Sequence, residues 1–365
     1  MGKQTENRKA EHIKICLDEK AQPRKATTGF EDVQFVHCAL PEVDKAKIDL
    51  STAVFGHKFS APLIVGAMTG GTAEATRINA AIAEAVETLR LGMGLGSQRA
   101  AIENPKLAET FSVARKKAPN AFLIANIGGI QLVHECGVKE VKKAVEMIDA
   151  DAVAVHLNAL HEAVQPEGQT TFKGVLYKIC EIAGEIDKPV IVKETGAGIA
   201  AEDAKKLEKA GVKAIDVGGA GGTSFAAVEY YRSEASSVQQ FLGDVFWDWG
   251  IPTAATLVEA TQSVKIPVIA SGGVRSGVDV AKSLALNACL GSVCQPALKA
   301  AVKGAKATEK MLFLLMEELK AVMFLVGAEK VSDLTKAPVV VSGKTAEWLK
   351  TRGFKVEDYA RRGAR

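Results

Sequence analysis

The sequence predicts a single (β/α)8 barrel, and three observations support that fold class. Eight short apolar runs, rich in Val, Ile and Ala, recur along the chain. Helix-like segments, such as those at 76–89, 138–148 and 200–210, separate most of these runs, and most runs end in glycine or a polar residue. Strands hidden on both faces and alternating with helices indicate a parallel sheet covered by helices. Eight such units favour a closed barrel, with an open doubly wound sheet as the alternative.

The predicted strands account for most of the chain between residues 61 and 293. In order, they are 61–67, 91–96, 121–126, 152–158, 189–193, 214–218, 267–271 and 288–293. Residues 1–60 form a polar N-terminal extension that we expect to pack on a barrel of residues 61–365, the whole being one domain. A long insertion, 220–252, follows the sixth strand. A connection of that length in a compact fold is usually functional.

Composition excludes several classes of protein. The chain has 365 residues, of which 47% are hydrophobic and 24% charged, as in ordinary globular domains. The net charge of +3 is too small to indicate a nucleic-acid partner. Six cysteines without paired or metal-type spacing favour a reducing compartment. Because no secretory signal or uninterrupted apolar span is found, we expect a cytoplasmic protein without a membrane partner.

Two glycine-rich loops predict a phosphate site. In a (β/α)8 barrel, ligands bind at the loops that follow the strands. Segment 271–277, Ser-Gly-Gly-Val-Arg-Ser-Gly, follows the seventh strand and begins a helical pattern. Its glycines let backbone amides approach a phosphate, and the helix N-terminus favours negative charge. Segment 218–224 is a second such loop, so the pair suggests one phosphate held from two sides, with a tight structural turn as the alternative.

Lys193 ends the fifth predicted strand. An unpaired ammonium is costly to bury, so this lysine should meet an anionic ligand or a carboxylate. A reduced flavin is anionic around its pyrimidine ring, and a lysine there would stabilise it. We favour that interpretation over a structural ion pair.

His161 and Glu162 follow the fourth strand. Imidazole and carboxylate groups are suited to proton transfer and to binding a divalent cation, respectively. A single carboxylate is compatible with Mg²⁺ on a diphosphate, because Mg²⁺ keeps its waters and binds ligand phosphates. Considered alone, His161 is more often an ordinary loop histidine.

The N-terminal segment and the second strand supply cations. Arg8, Lys9 and His12 fall within two turns of a predicted helix, and Arg99 ends the motif Gly-Ser-Gln-Arg. A solvated basic terminus would explain the first three. The functional alternative is a clamp for a substrate diphosphate, in which arginine makes forked contacts to phosphate oxygens.

Several motifs together resemble one enzyme family. In chain order they are NRKAEHI, MTGG, GSQR, HLNALHEAVQPEG, VKETG, GAGGTS and SGGVRSG. This order resembles the type 2, FMN-dependent isopentenyl diphosphate isomerases over nearly the whole chain. The motifs GSQR and QPEG combined with RSG are specific to that family, whereas SGGVRSG also occurs in 2-hydroxy-acid oxidases and IMP dehydrogenases.

The resemblance implies an isomerase of isoprenoid biosynthesis that interconverts isopentenyl and dimethylallyl diphosphate by a 1,3-allylic proton shift. It implies reduced FMN as the acid–base group, Mg²⁺ on the diphosphate, NADPH to reduce the flavin, and a homotetramer or larger assembly. The implied FMN contacts are Met68, Thr69, Gly70, Ser97, Asn126, Lys193, Gly218, Thr223, Gly273, Val274, Arg275, Cys294 and Gln295. The implied substrate contacts are Arg8, Lys9, His12, Ser97, Gln98, Arg99, Asn158 and His161. Glu162 is the implied metal ligand, and His161 and Lys193 the implied catalytic residues.

The chain departs from the family pattern near the expected flavin. His161 stands where the family usually has glutamine, which makes this position titratable near neutrality. Gly218 replaces a common serine, Ser292 a glycine, and Cys294-Gln295 an Ala-Leu pair. Two other functions remain open at this point. One is a redox FMN barrel of the 2-hydroxy-acid oxidase or IMP dehydrogenase type, and the other is a flavin-holding module without activity.

Overall fold

A computed structural model describes residues 2–18 and 20–363, with side chains from residue 8 onward. Eight parallel strands close into a barrel, as predicted. From first to eighth, the barrel strands are Leu63–Val65, Gly92–Gly94, Phe122–Gly128, Ala152–His156, Val190–Lys193, Ala214–Asp216, Val268–Ala270 and Leu290–Val293. Each pairs with its neighbours in chain order, and the eighth closes on the first through Gly291 and Leu63. All eight overlap the predicted runs.

Helices cover the outside of the barrel because one face of each is apolar. The helices that cover the barrel strands are Ala73–Leu89, Glu109–Lys117, Val138–Met147, Val175–Glu185, Ala201–Lys209, Thr253–Thr261, Gly277–Ala285, Gln295–Ala301 and Ala305–Leu325. Further helices are Arg99–Glu103, Gly129–His134, Ala159–Val164, Phe225–Arg232, Val238–Val245, Val331–Leu334, Gly343–Thr351 and Glu357–Ala360. Within the described part of the chain, no helix is long and apolar enough to cross a membrane.

The N-terminal extension closes one end of the barrel. Its antiparallel hairpin, Thr52–Val54 with His57–Phe59, inserts Phe59 into an apolar cluster with Phe122 and Ile64 from the barrel strands. Rings of Phe59 and Phe122 pack edge to face with centroids 5.5 Å apart. A packed apolar plug leaves little room for a ligand, so chemistry is confined to the opposite end.

The other end of the barrel is covered by two segments that lie outside the repeating pattern. The first is the N-terminal helix, Gly2–Leu17. The second is the insertion after the sixth strand, which folds into the helices Phe225–Arg232 and Val238–Val245. The two segments meet where His12 contacts Glu229. A further strand of the extension, Val33–Phe35, pairs with Val339–Val341 near the end of the chain.

Candidate active site

A cavity of about 280 Å³ opens at the carboxyl ends of the barrel strands. It collects residues from the N-terminal helix, from the strand ends and from the insertion. The predicted site residues that line it are Arg8, Lys9, His12, Met68, Thr69, Ser97, Arg99, Asn126, Asn158, His161, Glu162, Lys193, Gly218, Thr223, Gly273, Val274, Arg275, Cys294 and Gln295. The barrel thus gathers residues that are far apart in the sequence around one space.

The two glycine-rich loops lie against each other, as the sequence analysis expected. Thr253 ties them together, because its hydroxyl donates to the carbonyl of Gly272 at 2.7 Å and contacts that of Ala220 at 3.0 Å. Gly273 has a φ of 70°, and a Cβ there would lie 2.6 Å from the carbonyl oxygen of Gly221. Only glycine relieves both the strained backbone and the close contact. The backbone N–H of Gly273 has no acceptor among the described residues and is free to meet a phosphate.

Arg275 extends over the same loop. Its guanidinium donates to the side-chain oxygens of Gln295 and Gln22, each at 2.5 Å. The adjacent helix, Gly277–Ala285, begins with a reciprocal cap between Ser276 and Asp279. The arginine is therefore fixed by neutral amides, and its positive charge remains available to an anion.

Three buried polar atoms on the part of the cavity wall formed by the first and eighth strands and the residues after them have no hydrogen-bond partner among the described residues. They are the hydroxyls of Thr69 and Ser292 and the amide nitrogen of Gln295. Buried polar groups are almost always satisfied in native proteins. These atoms therefore fit a polar ligand, as expected for the heteroatoms of a bound flavin.

Lys193 faces this wall and forms no ion pair with a described carboxylate. Its ammonium donates to the backbone carbonyl of Glu194 at 2.7 Å. The Glu194 carboxylate instead accepts the backbone N–H groups of the following turn, and burial raises its pKa. Burial also raises the pKa of Asp216, against the opposing charge of Lys193. The lysine charge is thus incompletely neutralised by the protein and suits an anionic ring.

His156 is a site residue that the sequence analysis did not assign. Its Nδ1 lies 2.8 Å from Oδ1 of Asn126, whose amide nitrogen donates to Leu95. Burial and the nearby charge of Lys193 lower the pKa of His156 to about 3. The imidazole is therefore neutral, with the proton on Nδ1 and an unprotonated Nε2. Its position at the end of the fourth strand was the sequence feature that could have identified it as a site residue.

A second unassigned residue, Glu229, lies at the centre of a hydrogen-bonded cluster. It is fully buried, and its Oε1 is 2.9 Å from Nε2 of His12 and 2.7 Å from Nε2 of His161. Arg232 pairs with its other oxygen. Although burial opposes ionisation, the hydrogen bonds from both histidines hold the pKa of Glu229 well below its usual value. Because an ionised carboxylate only accepts, both imidazoles donate their Nε2–H.

The carboxylate of Glu162 is surrounded by amide groups. It accepts Asn158 Nδ2 at 2.8 Å, Gln165 Nε2 at 2.6 Å and the backbone N–H of Gln169 at 2.7 Å. The side-chain oxygens of Asn158 and Gln165 are buried and have no partner in the described part of the chain. Carboxylate and amide oxygens are the ligands that Mg²⁺ prefers. The residues present therefore fit a hard divalent cation.

The basic side of the cavity comes from the N-terminal helix and from Arg99. Lys9 donates to the carbonyl of Ser97 at 2.8 Å. Burial, and then the charge of Arg8, lower the pKa of Lys9 to about 7. Arg99 is held by Glu103 at 2.6 Å and by Glu135 at 2.8 Å. The structure thus brings these three predicted cations to the same cavity.

Two of the predicted contact residues, Gln98 and Gly70, do not line the cavity. The side chain of Gln98 is fully buried behind the cavity wall, where it donates to Ala144 and accepts the backbone N–H of Asn126. It holds Asn126 in place from behind the cavity wall. Gly70 does not line the cavity either, because it packs against Phe111, whose ring would lie 1.9 Å from a Cβ at this position.

Solved structures share the fold of this chain at low sequence identity. Mandelate oxidase aligns with a TM-score of 0.62 and 18% identity, over 92% of this chain and 98% of that one. Lactate oxidase of Pediococcus acidilactici aligns with a TM-score of 0.58 and 20% identity, over 90% of this chain and 87% of that one. At these identities the likeness shows the fold alone.

Sequence comparisons identify the family. The family model described as FMN-dependent dehydrogenase matches residues 2–122 and 156–341. The isopentenyl-diphosphate delta-isomerase of Archaeoglobus fulgidus is 51% identical over 96% of this chain and 99% of its own length. The enzyme of that name from Methanosarcina barkeri is 49% identical over 98% of this chain and 97% of its own. The chain therefore belongs to the isopentenyl-diphosphate delta-isomerases, within the FMN-dependent dehydrogenase family.

Proposed function

We propose that this chain interconverts isopentenyl and dimethylallyl diphosphate, using reduced FMN, Mg²⁺ on the diphosphate, and NADPH only to reduce the flavin. The observation that carries the proposal is a single cavity that contains two anion-binding sets. The glycine-rich loops with Lys193 suit a flavin phosphate and ring, and Glu162 with the basic side suits a diphosphate. The isomerase relatives support this substrate pair.

The chain's own residues would hold the flavin at three points. The loops around Gly222 and Gly273 offer backbone N–H groups to its phosphate, and Arg275 adds a positive charge. Lys193 would stabilise negative charge on the flavin ring. When bound and reduced, FMN would supply the acid–base group.

The proton shift needs groups that hold protons at fixed positions, because an alkene carbon is only weakly basic. His161 presents a ring to the cavity and is oriented by the ionised carboxylate of Glu229. His12 shares that carboxylate and is kept neutral, since burial lowers its pKa to about 4. We propose that His161 relays a proton and that Glu229 positions it.

The diphosphate would be held by a different part of the cavity wall, formed by Glu162 and the basic side chains. Glu162 would supply a carboxylate oxygen to Mg²⁺, an ion that commonly retains waters and binds ligand phosphates. Arg8, Lys9 and Arg99 offset the remaining charge. Since the hydrocarbon tail carries no charge, these contacts account for most of the substrate affinity.

Glu162→Gln should raise the Mg²⁺ concentration needed for half-maximal activity by about 10–100-fold, because the replacement removes the anionic ligand. The substrate KM should rise with it, and kcat should change less. Steady-state kinetics over a Mg²⁺ series measures both. Glu185→Gln, on the outer face of a covering helix, is the matched control and should behave as wild type. If the Mg²⁺ dependence of Glu162→Gln were unchanged, Glu162 would not be a ligand of the metal.

Substrate binding should weaken as the pH rises above about 7, because Lys9 loses its proton in the free protein. A bound diphosphate favours the charged ammonium, so binding above this pH takes up a proton and affinity falls by up to about tenfold per pH unit. Below pH 7 the lysine is already charged, so it no longer makes substrate affinity change with pH. Groups that influence Lys9 are Arg8, Arg99 and Glu103.

Calorimetric titration in buffers of different ionisation enthalpy measures this proton uptake. Lys9→Arg stays charged at every pH and should lose the uptake, whereas Lys14→Arg, exposed on the same helix, should keep it. Equal uptake by wild type and Lys9→Arg would show that another group titrates.

We also infer that the protein is a cytoplasmic homo-oligomer, a tetramer or larger. The insertion supports self-association, because it exposes Val238, Phe241, Val245 and Trp249 by 57–68%. Exposed apolar patches of this kind are typical of subunit contacts.

The isomerase assay combines the protein with FMN, Mg²⁺, isopentenyl diphosphate and NADPH, and follows both the allylic product and NADPH. Many product molecules per NADPH are expected, because the flavin needs reduction only once. If one NADPH were consumed per product, or peroxide were released with no allylic product, the protein would be a redox enzyme and the isomerase proposal would be wrong.

A further inference from the structure

We propose that His12, His161 and Glu229 form a second cation site, which takes a nitrogen-preferring divalent ion of the Zn²⁺ class. The site lies beside the oxygen-rich position at Glu162 and is separate from it. The three side chains come from the N-terminal helix, the loop after the fourth strand and the insertion. No carboxylate other than that of Glu229 joins both imidazoles in the described chain.

The ligand spacing fits a bound cation. The three candidate ligand atoms lie within 4.8 Å of one another, and each imidazole Nε2 is 2.7–2.9 Å from the same carboxylate oxygen. Metal–ligand bonds of about 2.1 Å place neighbouring ligands about 3.0 Å apart in an octahedron and about 3.4 Å apart in a tetrahedron. The two carboxylate–imidazole distances would lengthen by only a few tenths of an ångström. The two Nε2 atoms, which lie no more than 4.8 Å apart, would approach each other by about 0.6 Å to take opposite octahedral positions, or by up to about 1.8 Å to take neighbouring ones. A neutral imidazole frees its Nε2 by holding the proton on Nδ1 instead.

The charge around the cluster favours a dication. Arg232 is bound by three carboxylates, those of Glu229, Glu11 and Glu167. One guanidinium therefore faces three negative charges, and the group retains a net negative charge that the histidines do not cancel when neutral. Arg232 also fixes the oxygen of Glu229 that does not face the imidazoles. Such outer contacts orient a ligand and raise metal affinity.

The donor set decides the class of metal. Two imidazoles and one carboxylate with open positions are typical of Zn²⁺ and neighbouring transition ions, whereas Mg²⁺ prefers oxygen ligands. His161 and Glu162 are successive residues, so the cavity offers two unlike cation positions next to each other. A Zn²⁺ ion would take both Nε2 atoms away from the Glu229 hydrogen bonds. Zn²⁺ should therefore inhibit the proposed isomerase, which is the only part of this inference that depends on that function.

The test is a Zn²⁺ titration of the flavin-loaded protein by calorimetry, without substrate and with Mg²⁺ in excess to occupy the Glu162 position. One equivalent of Zn²⁺ per chain is expected, and Mg²⁺ should not displace it. His161→Gln and His12→Gln should each lower the Zn²⁺ affinity by at least about 100-fold. His134→Gln is the matched control, because it removes an exposed imidazole that neither lines the cavity nor belongs to the cluster.

X-ray absorption at the zinc edge supplies a readout that does not depend on activity. Two imidazole scatterers and oxygen are expected, and both histidine variants should lose this signature while keeping their flavin. Thiolate ligation, loss of Zn²⁺ to excess Mg²⁺, or wild-type affinity in either histidine variant that retains flavin would overturn the proposal. These results would leave the isomerase unaffected, since its assay contains no Zn²⁺.

Discussion

Lys193→Ala should lower isomerase turnover by about 100–1,000-fold, the range found when one preorganised charge is removed from a transition state. The ammonium lies at the cavity wall and is bound by only one backbone carbonyl among the described residues. Its charge is therefore available to an anionic flavin, and its removal also makes the reduced flavin harder to form. The second effect should appear as a more negative flavin reduction potential.

Single-turnover kinetics with prereduced enzyme separates chemistry from flavin reduction, and a redox titration measures the potential. Lys193→Arg keeps the positive charge and should partly restore both the turnover rate and the flavin reduction potential. Lys213→Ala, an exposed lysine just before the sixth strand, is the control for nonspecific loss of charge. If Lys193→Ala kept wild-type turnover and flavin potential, the role assigned to this lysine would be wrong.

Glu229→Gln should reduce turnover by about 100–10,000-fold, the range for loss of a positioned acid–base group. The amide carries no negative charge, and its NH₂ group would face the guanidinium of Arg232 if its oxygen stayed with the imidazoles, so His161 is held less firmly in its orientation. The variant also breaks a buried ion pair with Arg232. Because Arg232 keeps Glu11 and Glu167, we expect a loss of stability near the lower end of the usual range, about 3 kcal/mol.

Denaturant unfolding and kcat on the flavin-loaded variant measure the two effects separately. Glu234→Gln, an exposed residue after the same helix, should change neither. A fall in stability with unchanged kcat would make Glu229 purely structural. A fall in kcat that Glu229→Asp partly restores would support positioning of His161.

The fold was predictable because the barrel strands are short runs of buried apolar residues, whose hydrophobicity is continuous in the sequence. The run at 152–158, for example, became the strand Ala152–His156 with only its end displaced. The glycine-rich loops were equally predictable, since close approach of two backbones requires glycine at positions such as Gly273. Both signals are local, which is why a single sequence contains them.

The missed residues depend on contacts that are remote in sequence. Glu229 is joined to His12 across 217 positions, and nothing within its own apolar helix marks it as a shared acceptor. Gln98 is the converse case, a residue that its motif marks as a contact but that the structure places behind the cavity wall. It belongs to a functional motif, yet its side chain turns into the protein to hold Asn126, and only the packing reveals this.

The central claim is that one cavity holds a reduced flavin and a diphosphate and moves a proton between two allylic carbons. Its most direct test is isomerisation in D₂O with prereduced FMN, Mg²⁺ and isopentenyl diphosphate, followed by NMR. Deuterium should enter the new methyl group of the product and then wash back into the substrate, with no net oxidation of the flavin. Product free of deuterium, or turnover that proceeds equally with oxidised flavin, would contradict the account.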